Sequence, residues 1–432
     1  MKGKITTGLT LVLLASLLLF TLPAVAQDGT VTVMGVWGGG ELDAFNKMVE
    51  PFEQASGIEV QYEGTRDLPT LLTTRLEAGN PPDIVAVSGP GMMKDLADDG
   101  DLINLENVYN MNYIREDFDE KWIDLATYND GMYAMFLAAD VKSLVWYNPN
   151  VFEEYGYEVP ETWEDMDQLA QQMQEDGIAP WSIGLESGAA SGWPGTDWIE
   201  DIMLRTTDPE TYDKWIAHDI PWTDDRIKNA FEIFGNYAKN PDMAYGGPTA
   251  VLSTNFGDAP NPLFTDPPRA ALHRQASFIT SFIKDNNPEL KAGEDFDFFP
   301  LPPIDEEYGT PALGAADMLS MLNDNQEARQ FMKYIATPGA QSIWLSELGK
   351  LGTNNRINPN VYPDDITRQM AEFLNNADTF RFDASDSMPA SIGSGAFWQG
   401  ILDYVSGENI DGVLESIEQN ADDAYSSGEA TN

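Results

Sequence analysis

Residues 30–87 read TVTVMGVWGGGELDAFNKMVEPFEQASGIEVQYEGTRDLPTLLTTRLEAGNPPDIVAV, and their hydrophobic pattern alternates between two periods. Short apolar runs at 30–36, 58–62 and 83–87 predict three strands. The segments between them carry apolar residues at every third or fourth position, as amphipathic helices do. Gly57 suits the left-handed backbone that ends many helices. Strands and helices that alternate over this length predict right-handed crossovers and a mostly parallel sheet, so the fold class is α/β.

The loops that follow these strands are the first place to look for a ligand site. In open α/β sheets, ligands bind outside the carboxyl ends of the strands. The loops after the three predicted strands carry Trp37, Glu41, Arg66, Asp67 and Ser88. The sequence therefore predicts a cleft at this edge of the sheet.

The composition sets the size of the protein and excludes several partners. A chain of 432 residues predicts two or three domains. Its 71 acidic and 24 basic residues give a net charge of −47, which disfavours nucleic acids and anionic membranes, because both need a basic surface. We interpret the charge as adaptation to salt. The alternative, a cation-binding function, predicts clustered acids, whereas these are spread along the chain.

Cysteine and histidine usage argues against most metal sites. The chain has no cysteine and only two histidines, His218 and His273. A disulfide framework, a cysteine nucleophile and thiolate metal sites are excluded, and histidine-based zinc sites are disfavoured. We expect no cofactor and no metal.

The N-terminus reads as a secretory signal. Lys2 and Lys4 precede an apolar run at 9–22, and Ala24-Val25-Ala26 follows as a small-x-small cleavage pattern. Fourteen residues are too few to span a bilayer, so residues 1–26 predict a cleaved signal peptide. No cysteine follows the run to take a lipid anchor. We expect a free protein in the periplasm or another extracytoplasmic space.

Arg66 and Asp67 lie at a junction between a predicted strand and a predicted helix. A guanidinium can donate to vicinal hydroxyls or to a carboxylate. The alternative for Arg66 is a surface salt bridge, and the alternative for Asp67 is N-capping of the helix.

Asp140 and Lys142 precede an apolar strand at 144–147. Side chains two positions apart in extended backbone lie on one face. The pair can therefore offer an acceptor and a donor at a cleft wall, and an isolated ion pair would give the same pattern.

Trp193 and Trp198 lie five residues apart in a Gly- and Pro-rich segment that opens a helix near Asp197. Helical core packing explains this spacing poorly. A tryptophan in a turn presents a flat apolar face that matches the C–H face of a pyranose ring, while nearby polar groups accept hydroxyl hydrogens. We expect Trp193 to be exposed and to contact a sugar. The alternative for the others is a buried Trp198 and a capping Asp197.

His273, Arg274 and Gln275 are three long polar donors before an apolar stretch. In a chain short of positive charge they are candidates for ligand contact, although a lone histidine is usually structural.

These segments, in this order, resemble the extracellular solute-binding proteins of carbohydrate ABC importers, the maltose-binding-like family, and within it the alpha-glucoside-type branch. The resemblance covers residues 30–410 and is specific at family level because its motifs recur in order. Many relatives carry a lipobox cysteine, and this sequence has none. The segments that carry the resemblance are 52–53 with 57–60, 77–84, 144–152 with 160–163, 192–200, 272–278, 336–338, and 378–382 with 397–398.

The resemblance implies two α/β lobes, each built from discontinuous segments and joined by a hinge, with a sugar bound between them. We place residues 27–139 and about 310–342 in lobe 1, about 141–305 and 345–425 in lobe 2, and a frayed C-terminus at 426–432. The implied partners are a mono- or oligosaccharide and the transmembrane subunits of an ABC permease, with the protein acting as a monomer. The implied cleft residues are Trp37, Glu41, Arg66, Asp67, Asp140, Lys142, Trp193, Asp197, Arg274, Asp317 and Trp398.

Two other classes remain as alternatives. A secreted glycoside hydrolase needs two carboxylates across the scissile bond. Because the chain has 71 acidic residues, the presence of a suitable pair does not distinguish a hydrolase from a binding protein. No acid-bearing hydrolase motif and no Gly-x-Ser-x-Gly elbow is present. A binding protein for a metal or an oligopeptide is the third class, but the calcium-loop spacing Asp-x-Asp-x-Asp-Gly is absent. We therefore predict a binding protein rather than an enzyme.

Overall fold

The computed structural model describes residues 29–427, so the predicted signal peptide and residues 428–432 lie outside the described residues. The strands in this range are β1 (Gly29–Gly35), β2 (Ile58–Gly64), β3 (Ile84–Val87), β4 (Thr127–Tyr128), β5 (Gly131–Met132), β6 (Met135–Val141), β7 (Leu144–Tyr147), β8 (Ala179–Trp181), β9 (Ala270–Arg274), β10 (Asp297–Pro300), β11 (Ala312–Met321) and β12 (Phe380–Phe382).

The helices alternate with these strands along the chain. They are α1 (Gly40–Ser56), α2 (Leu68–Glu77), α3 (Pro90–Asp98), α4 (Met111–Asp117), α5 (Glu120–Leu125), α6 (Pro149–Tyr155), α7 (Trp163–Glu175), α8 (Trp193–Thr206), α9 (Pro209–Ile216), α10 (Asp225–Ala238), α11 (Gly247–Ser253), α12 (Ile279–Asn286), α13 (Gln326–Ile335), α14 (Pro338–Leu348), α15 (Asp365–Asn376), α16 (Ala384–Ser387), α17 (Trp398–Ser406) and α18 (Ile410–Ser427). No helix within residues 29–427 combines the length and the apolarity needed to cross a membrane.

The first sheet confirms the predicted α/β unit. Its strand order is β12-β11-β3-β1-β2, with β6 also paired to β11. β1 runs parallel to β2 and to β3, and Val31 is opposite Val60 in the first of these pairs. Gly57, with φ of 74°, ends α1 in the left-handed conformation that its sequence position predicted. The returning strand β11 lies antiparallel to β3, so the sheet is mixed.

The second sheet has four strands in the order β10-β7-β9-β8. β7 lies between β10 and β9 and is antiparallel to both, while β8 is parallel to β9. Because β9 is central and covered on both sides, all five of its residues are buried, including His273 and Arg274.

Two separate hydrophobic cores accompany the two sheets. The first core contains residues such as Val33, Phe45 and Met318, and it packs α1, α13 and α14 against the first sheet. The second core contains Trp181, Trp198 and similar residues of α8, α10 and the C-terminal helices. A cleft lies where the two cores meet.

The chain crosses between the cores at four places that lie side by side. The crossings are the segments 141–144, 274–279, 300–312 and 382–384, which join strands of one sheet to elements of the other core. Backbone hydrogen bonds tie neighbouring crossings together: Ser277 N donates to Val141 O at 2.9 Å, and Lys142 N donates to Leu313 O at 2.7 Å. Asp383 N donates to Gly314 O at 2.8 Å.

Several elements differ from their sequence-based predictions. Side chains of α15 and β12 are buried in the first core, whereas residues 345–425 were expected in lobe 2. The reason is that β12 pairs with β11, which draws the preceding helix onto the first sheet. α12 also packs in the first core, although 141–305 was expected in lobe 2.

Candidate functional site

A cleft between the two cores contains about 1010 Å³ of atom-free space, part of it open to solvent. The loops after β1 and β3, the start of α8 and the crossings line it. The predicted site residues that line it are Trp37, Glu41, Arg66, Asp140, Lys142, Trp193, Asp197, Asp317 and Trp398.

Trp37 forms part of the apolar wall on the side of the first core. Its side chain is buried, with the ring 4.8 Å from that of Trp344 and 5.9 Å from that of Tyr62. Trp37 Nε1 donates to Asp317 Oδ1 at 3.2 Å. The pairing of β11 with β6 shifts register between Asp317 and Met318, and such irregularities re-aim side chains.

Trp193 lies on the opposite wall. It is the first residue of α8, not a turn residue before a helix at Asp197 as the sequence suggested. Gly192 precedes it with φ of 109°, close against the backbone of Trp398, which leaves no room for a Cβ. The half-buried indole lies 5.2 Å from the Phe256 ring and 5.9 Å from the Phe278 ring. Because Phe278 packs against the first core, Trp193 belongs to an aromatic cluster to which both sides of the cleft contribute, rather than being a single exposed ring.

Lys350 organises the acidic residues on the first wall. Its Nζ lies 2.8 Å from Asp317 Oδ2 and 3.3 Å from Asp140 Oδ2. Glu41 Oε1 is 3.7 Å away. Burial alone lowers the pKa of Lys350, but the carboxylates outweigh that effect, so its pKa lies above the usual value. Burial raises the pKa of Glu41 and of Asp140, although Lys350 opposes this.

Lys142 has the same role on the second wall. Its Nζ lies 2.8 Å from Asp197 Oδ1 and also contacts Asp383. It lies 5.5 Å from the centroid of the Trp193 ring, so it supports the aromatic wall from one side. Burial raises the pKa of Asp197 to about 6, with Lys142 and Arg274 acting in the opposite direction. Each lysine is therefore held in place by the carboxylates that surround it.

Two further carboxyl groups near Lys142, those of Glu200 and Asp386, have pKa values raised above their usual range. Burial raises the pKa of Glu200 well above its usual value, and the charge of Asp383 adds to the shift. Burial and Asp383 likewise raise the pKa of Asp386, which lines the cleft. Asp386 therefore gives the cleft a carboxyl group that is less acidic than an exposed one.

The chain matches a known protein family over most of its length. Residues 38–342 match the family described as bacterial extracellular solute-binding protein. The chain belongs to this family. It is 46% identical over 389 residues to the osmoprotective compounds-binding protein GgtB of Synechocystis sp., covering 90% of this chain and 91% of that protein. It is 42% identical over 400 residues to the alpha-glucosides-binding periplasmic protein AglE of Rhizobium meliloti, covering 90% and 86%.

Solved structures share the fold of this solute-binding protein. A chitin oligosaccharide binding protein superposes with a TM-score of 0.81 at 18% identity, covering 92% of this chain and 99% of that one. The bacterial solute receptor AcbH, described with an exclusive preference for β-D-galactopyranose, gives a TM-score of 0.79 at 22% identity, covering 92% and 100%. The fold is therefore the two-lobed periplasmic-binding-protein fold.

Two residues predicted for the cleft of the solute-binding protein do not line it. Arg274 is buried behind the second wall, where its Nη2 lies 2.5 Å from Asp201 Oδ2 and its Nη1 lies 3.4 Å from Asp197 Oδ2. It reaches the cleft only through Asp197, because it comes from the covered strand β9. Asp67 is exposed at the start of α2 and makes no side-chain cap hydrogen bond there.

Other residues of the cleft were not among the predicted ones. They are scattered through segments with weak local patterns, and the most informative are Lys350, Phe256, Phe278, Asp383 and Asp386. A scarce lysine directly after the helix-ending Gly349 was one available signal for Lys350. No periodicity marks Phe256, which reaches the cleft from the segment between α11 and β9.

Proposed function

We propose that this solute-binding protein captures a neutral mono- or oligosaccharide of the alpha-glucoside class between its two lobes. It then delivers the sugar to the transmembrane subunits of an ABC permease, acting as a periplasmic monomer without enzymatic activity. The observation that carries the proposal is the cleft itself, whose lining combines tryptophan side chains with carboxylates that are paired with Lys142 and Lys350. The relative AglE, an alpha-glucosides-binding periplasmic protein by name, supports the sugar class.

The chemistry of the cleft suits a polyhydroxylated ring. The half-buried Trp193 offers apolar surface, whereas Trp37 is only 4% exposed and adds little, and burying each apolar Å² is worth about 25 cal/mol. Asp317 and Asp197 offer carboxylate oxygens, which form strong hydrogen bonds with hydroxyl groups. Trp398, which lines the cleft, has an indole nitrogen that is buried without a hydrogen-bond partner among the described residues. A ligand hydroxyl can accept from that nitrogen.

The charge of the cleft selects against anionic sugars. Six carboxyl groups and three cationic side chains line it, and Lys142 and Lys350 are already paired with carboxylates. A phosphorylated or carboxylated sugar would have to approach these acids without a free cation to meet it, apart from Arg66 at the mouth. We therefore propose a neutral ligand.

We further propose that the two cores correspond to the two lobes and that the four crossings form the hinge. Lobe 1 then holds the first sheet with α1–α5 and α12–α15, and lobe 2 holds the second sheet with α6–α11 and α16–α18. Hinge closure brings residues of both lobes onto one ligand, as in other two-lobed binding proteins.

Calorimetry with a panel of ligands tests the proposed function. Maltose, sucrose, trehalose and glucosylglycerol represent neutral glucosides, and glucose 6-phosphate and glucuronate are the anionic controls. We expect single-site binding of at least one neutral glucoside and none of the anionic sugars. A preference for the anionic sugars, or for peptides, would contradict the proposal. Release of glucose from the disaccharides during incubation would support the hydrolase alternative.

An osmoprotective solute is a second candidate ligand. The relative GgtB is named for osmoprotective compounds and is 46% identical to this chain. The net charge of −47 fits a protein that works in salt, where such solutes are needed. Tighter binding of glucosylglycerol than of any disaccharide in the same panel would favour this candidate. Tighter binding of a disaccharide would favour an alpha-glucoside ligand instead.

A further inference from the structure

His218, Glu418 and Asp422 bring one imidazole and two carboxylates together outside the cleft. Their potential ligand atoms all lie within 4.8 Å of one another. None of the three lines the cleft, so the sugar site does not explain them. We propose that this triad binds a divalent transition-metal ion, for which Zn²⁺ is the natural probe.

The backbone at His218 is unusual for a residue with a side chain. His218 follows α9 with φ of 56°, in the left-handed region. His218 N donates to Trp215 O at 3.1 Å and Asp219 N donates to Lys214 O at 2.8 Å, which is the hydrogen-bond pattern of a Schellman helix end. Glycine or asparagine usually takes this position. One of only two histidines in the chain occupies it instead.

The imidazole is held in one orientation towards the carboxylates. Its ring packs at 4.9 Å on the ring of Tyr425, and the side chain is only 12% exposed. His218 Nε2 lies 3.3 Å from Glu418 Oε2. The Tyr425 hydroxyl donates to Ile216 O, which fixes the supporting ring to the end of α9. A fixed imidazole loses little freedom when it binds a metal.

The two carboxylates come from successive turns of α18. Glu418 and Asp422 are four residues apart, so their side chains lie on the same face of the helix. The Trp222 backbone N–H donates to Glu418 Oε2 at 2.6 Å and orients that carboxylate. Outer partners of this kind are typical of metal ligands. Asp422 is exposed, which leaves a path by which an ion and its remaining water ligands can enter.

The ligand set decides the class of ion. Imidazole nitrogen suits Zn²⁺, Co²⁺, Ni²⁺ and Cu²⁺, whereas Ca²⁺ and Mg²⁺ prefer sites made of oxygen ligands. A neutral imidazole with two carboxylates carries a charge of −2, which a divalent ion balances. The buried acids Asp197, Glu200 and Asp383 also lie within 4.8 Å of one another, but the Nζ of Lys142 already contacts two of them.

Metal binding at the triad would join the loop after α9 to the C-terminal helix. An ion that binds only the folded state raises its stability with concentration. Because no residue of the triad lines the cleft, we expect a bound metal ion to change thermal stability and to leave sugar affinity unchanged.

The test uses the untagged full chain after treatment with EDTA, because a histidine tag would itself bind the metal. Calorimetry with Zn²⁺ in 0.5 M NaCl is expected to show one ion per chain, with a rise in melting temperature and no comparable effect of Mg²⁺. The variants are His218→Asn, chosen because asparagine tolerates the left-handed backbone, and Asp422→Asn. Asp423→Asn, next to the triad on the same helix, is the matched control.

We expect both triad variants to lose at least tenfold in Zn²⁺ affinity, and the control to bind as the wild type does. Co²⁺ bound to the wild-type protein should show visible absorption bands that the triad variants lack. The proposal is overturned if the wild-type protein binds no Zn²⁺, or if both triad variants bind it with unchanged affinity. The first result would mean that His218 and Glu418 form only an ion pair. If His218→Asn fails to fold, the Zn²⁺ affinity of Asp422→Asn still tests the proposal, because Asp422 is exposed.

Discussion

The guanidinium carbon of Arg66 lies 5.4 Å from the centroid of the Phe256 ring, so a cation from one side of the cleft covers an aromatic ring from the other. Arg66 follows β2 of the first sheet, and Phe256 lies between α11 and β9. This contact spans the mouth of the cleft and can form only when the two sides are close together. Under the proposed hinge closure, this contact belongs to the closed state.

Removing this contact should weaken ligand binding without destabilising the fold. Cation–π contacts at exposed sites are worth about 0.5–1 kcal/mol, so Arg66→Ala should raise the Kd for the bound sugar roughly two- to fivefold. Calorimetry measures this change, and thermal unfolding of the ligand-free variant is the control. Arg66→Lys should retain part of the affinity. An unchanged Kd in Arg66→Ala would show that Arg66 plays no part in closure.

Lys350 should be essential to the fold as well as to the cleft. Its removal leaves Asp317, Asp140 and Glu41 together without a cation, and breaking a buried ion pair on one side costs about 3–5 kcal/mol. Urea denaturation of Lys350→Met should show this loss, whereas Lys333→Met, at an exposed position on α13, should change stability little. Equal stabilities of the two variants would contradict the structural role of Lys350.

The buried side chain of His273 should make the free energy of unfolding depend on pH. It is buried, its Nδ1 lies 2.8 Å from Ser182 O, and burial lowers its pKa from 6.5 to about 4. Between these values the unfolded chain binds a proton that the folded chain does not. The contribution of His273, about 3 kcal/mol at neutral pH, is therefore present above pH 6.5 and is lost as the pH falls towards 4.

Urea denaturation of the wild type and His273→Gln across pH 4–7 measures this contribution by difference. The comparison needs the variant because Asp197, whose pKa is raised to about 6, changes stability in the opposite direction over part of this range. The stability gap between the two proteins should shrink as the pH falls. A gap that stays constant from pH 7 to 4 would show that His273 takes up its proton at the same pH in the folded and unfolded chains, and would contradict the lowered pKa.

Salt should stabilise the folded protein. With a net charge of −47, repulsion between carboxylates opposes the compact state, and ions screen it over a Debye length of about 10 Å at 0.1 M and about 3 Å at 1 M. The melting temperature should therefore rise when NaCl is raised from 20 mM to 1 M. Because sulfate also strengthens hydrophobic burial, the test uses chloride. An equal or lower melting temperature in 1 M NaCl would argue against salt adaptation.

Local patterns in the sequence predicted the first sheet and much of the cleft. The strands β1, β2 and β3 lie at or within two residues of the predicted positions, because apolar period and glycine caps are local signals. Nine of the eleven predicted site residues line the cleft, and two of these nine, Asp317 and Trp398, were expected only from the resemblance to the family.

Local patterns did not predict the pairing of segments that are distant in the sequence. α15 joins the first core only because β12 pairs with β11, a contact between segments about 70 residues apart, and no local signal reveals it. Arg274 looked available as a donor because the sequence does not show that β9 is covered on both faces. Lys350 reaches Asp140 and Asp317 through tertiary contact alone.

The central claim is that a sugar binds against Trp193 in the cleft. Calorimetry of the neutral glucoside that binds best, with wild type and Trp193→Ala, tests it most directly, with unfolding of both ligand-free proteins measured in parallel. Since the indole is half-buried and supplies one wall, Trp193→Ala should raise the Kd tenfold or more while the ligand-free stability falls only slightly. An unchanged Kd together with a loss of several kcal/mol in stability would make Trp193 a core residue and contradict the account.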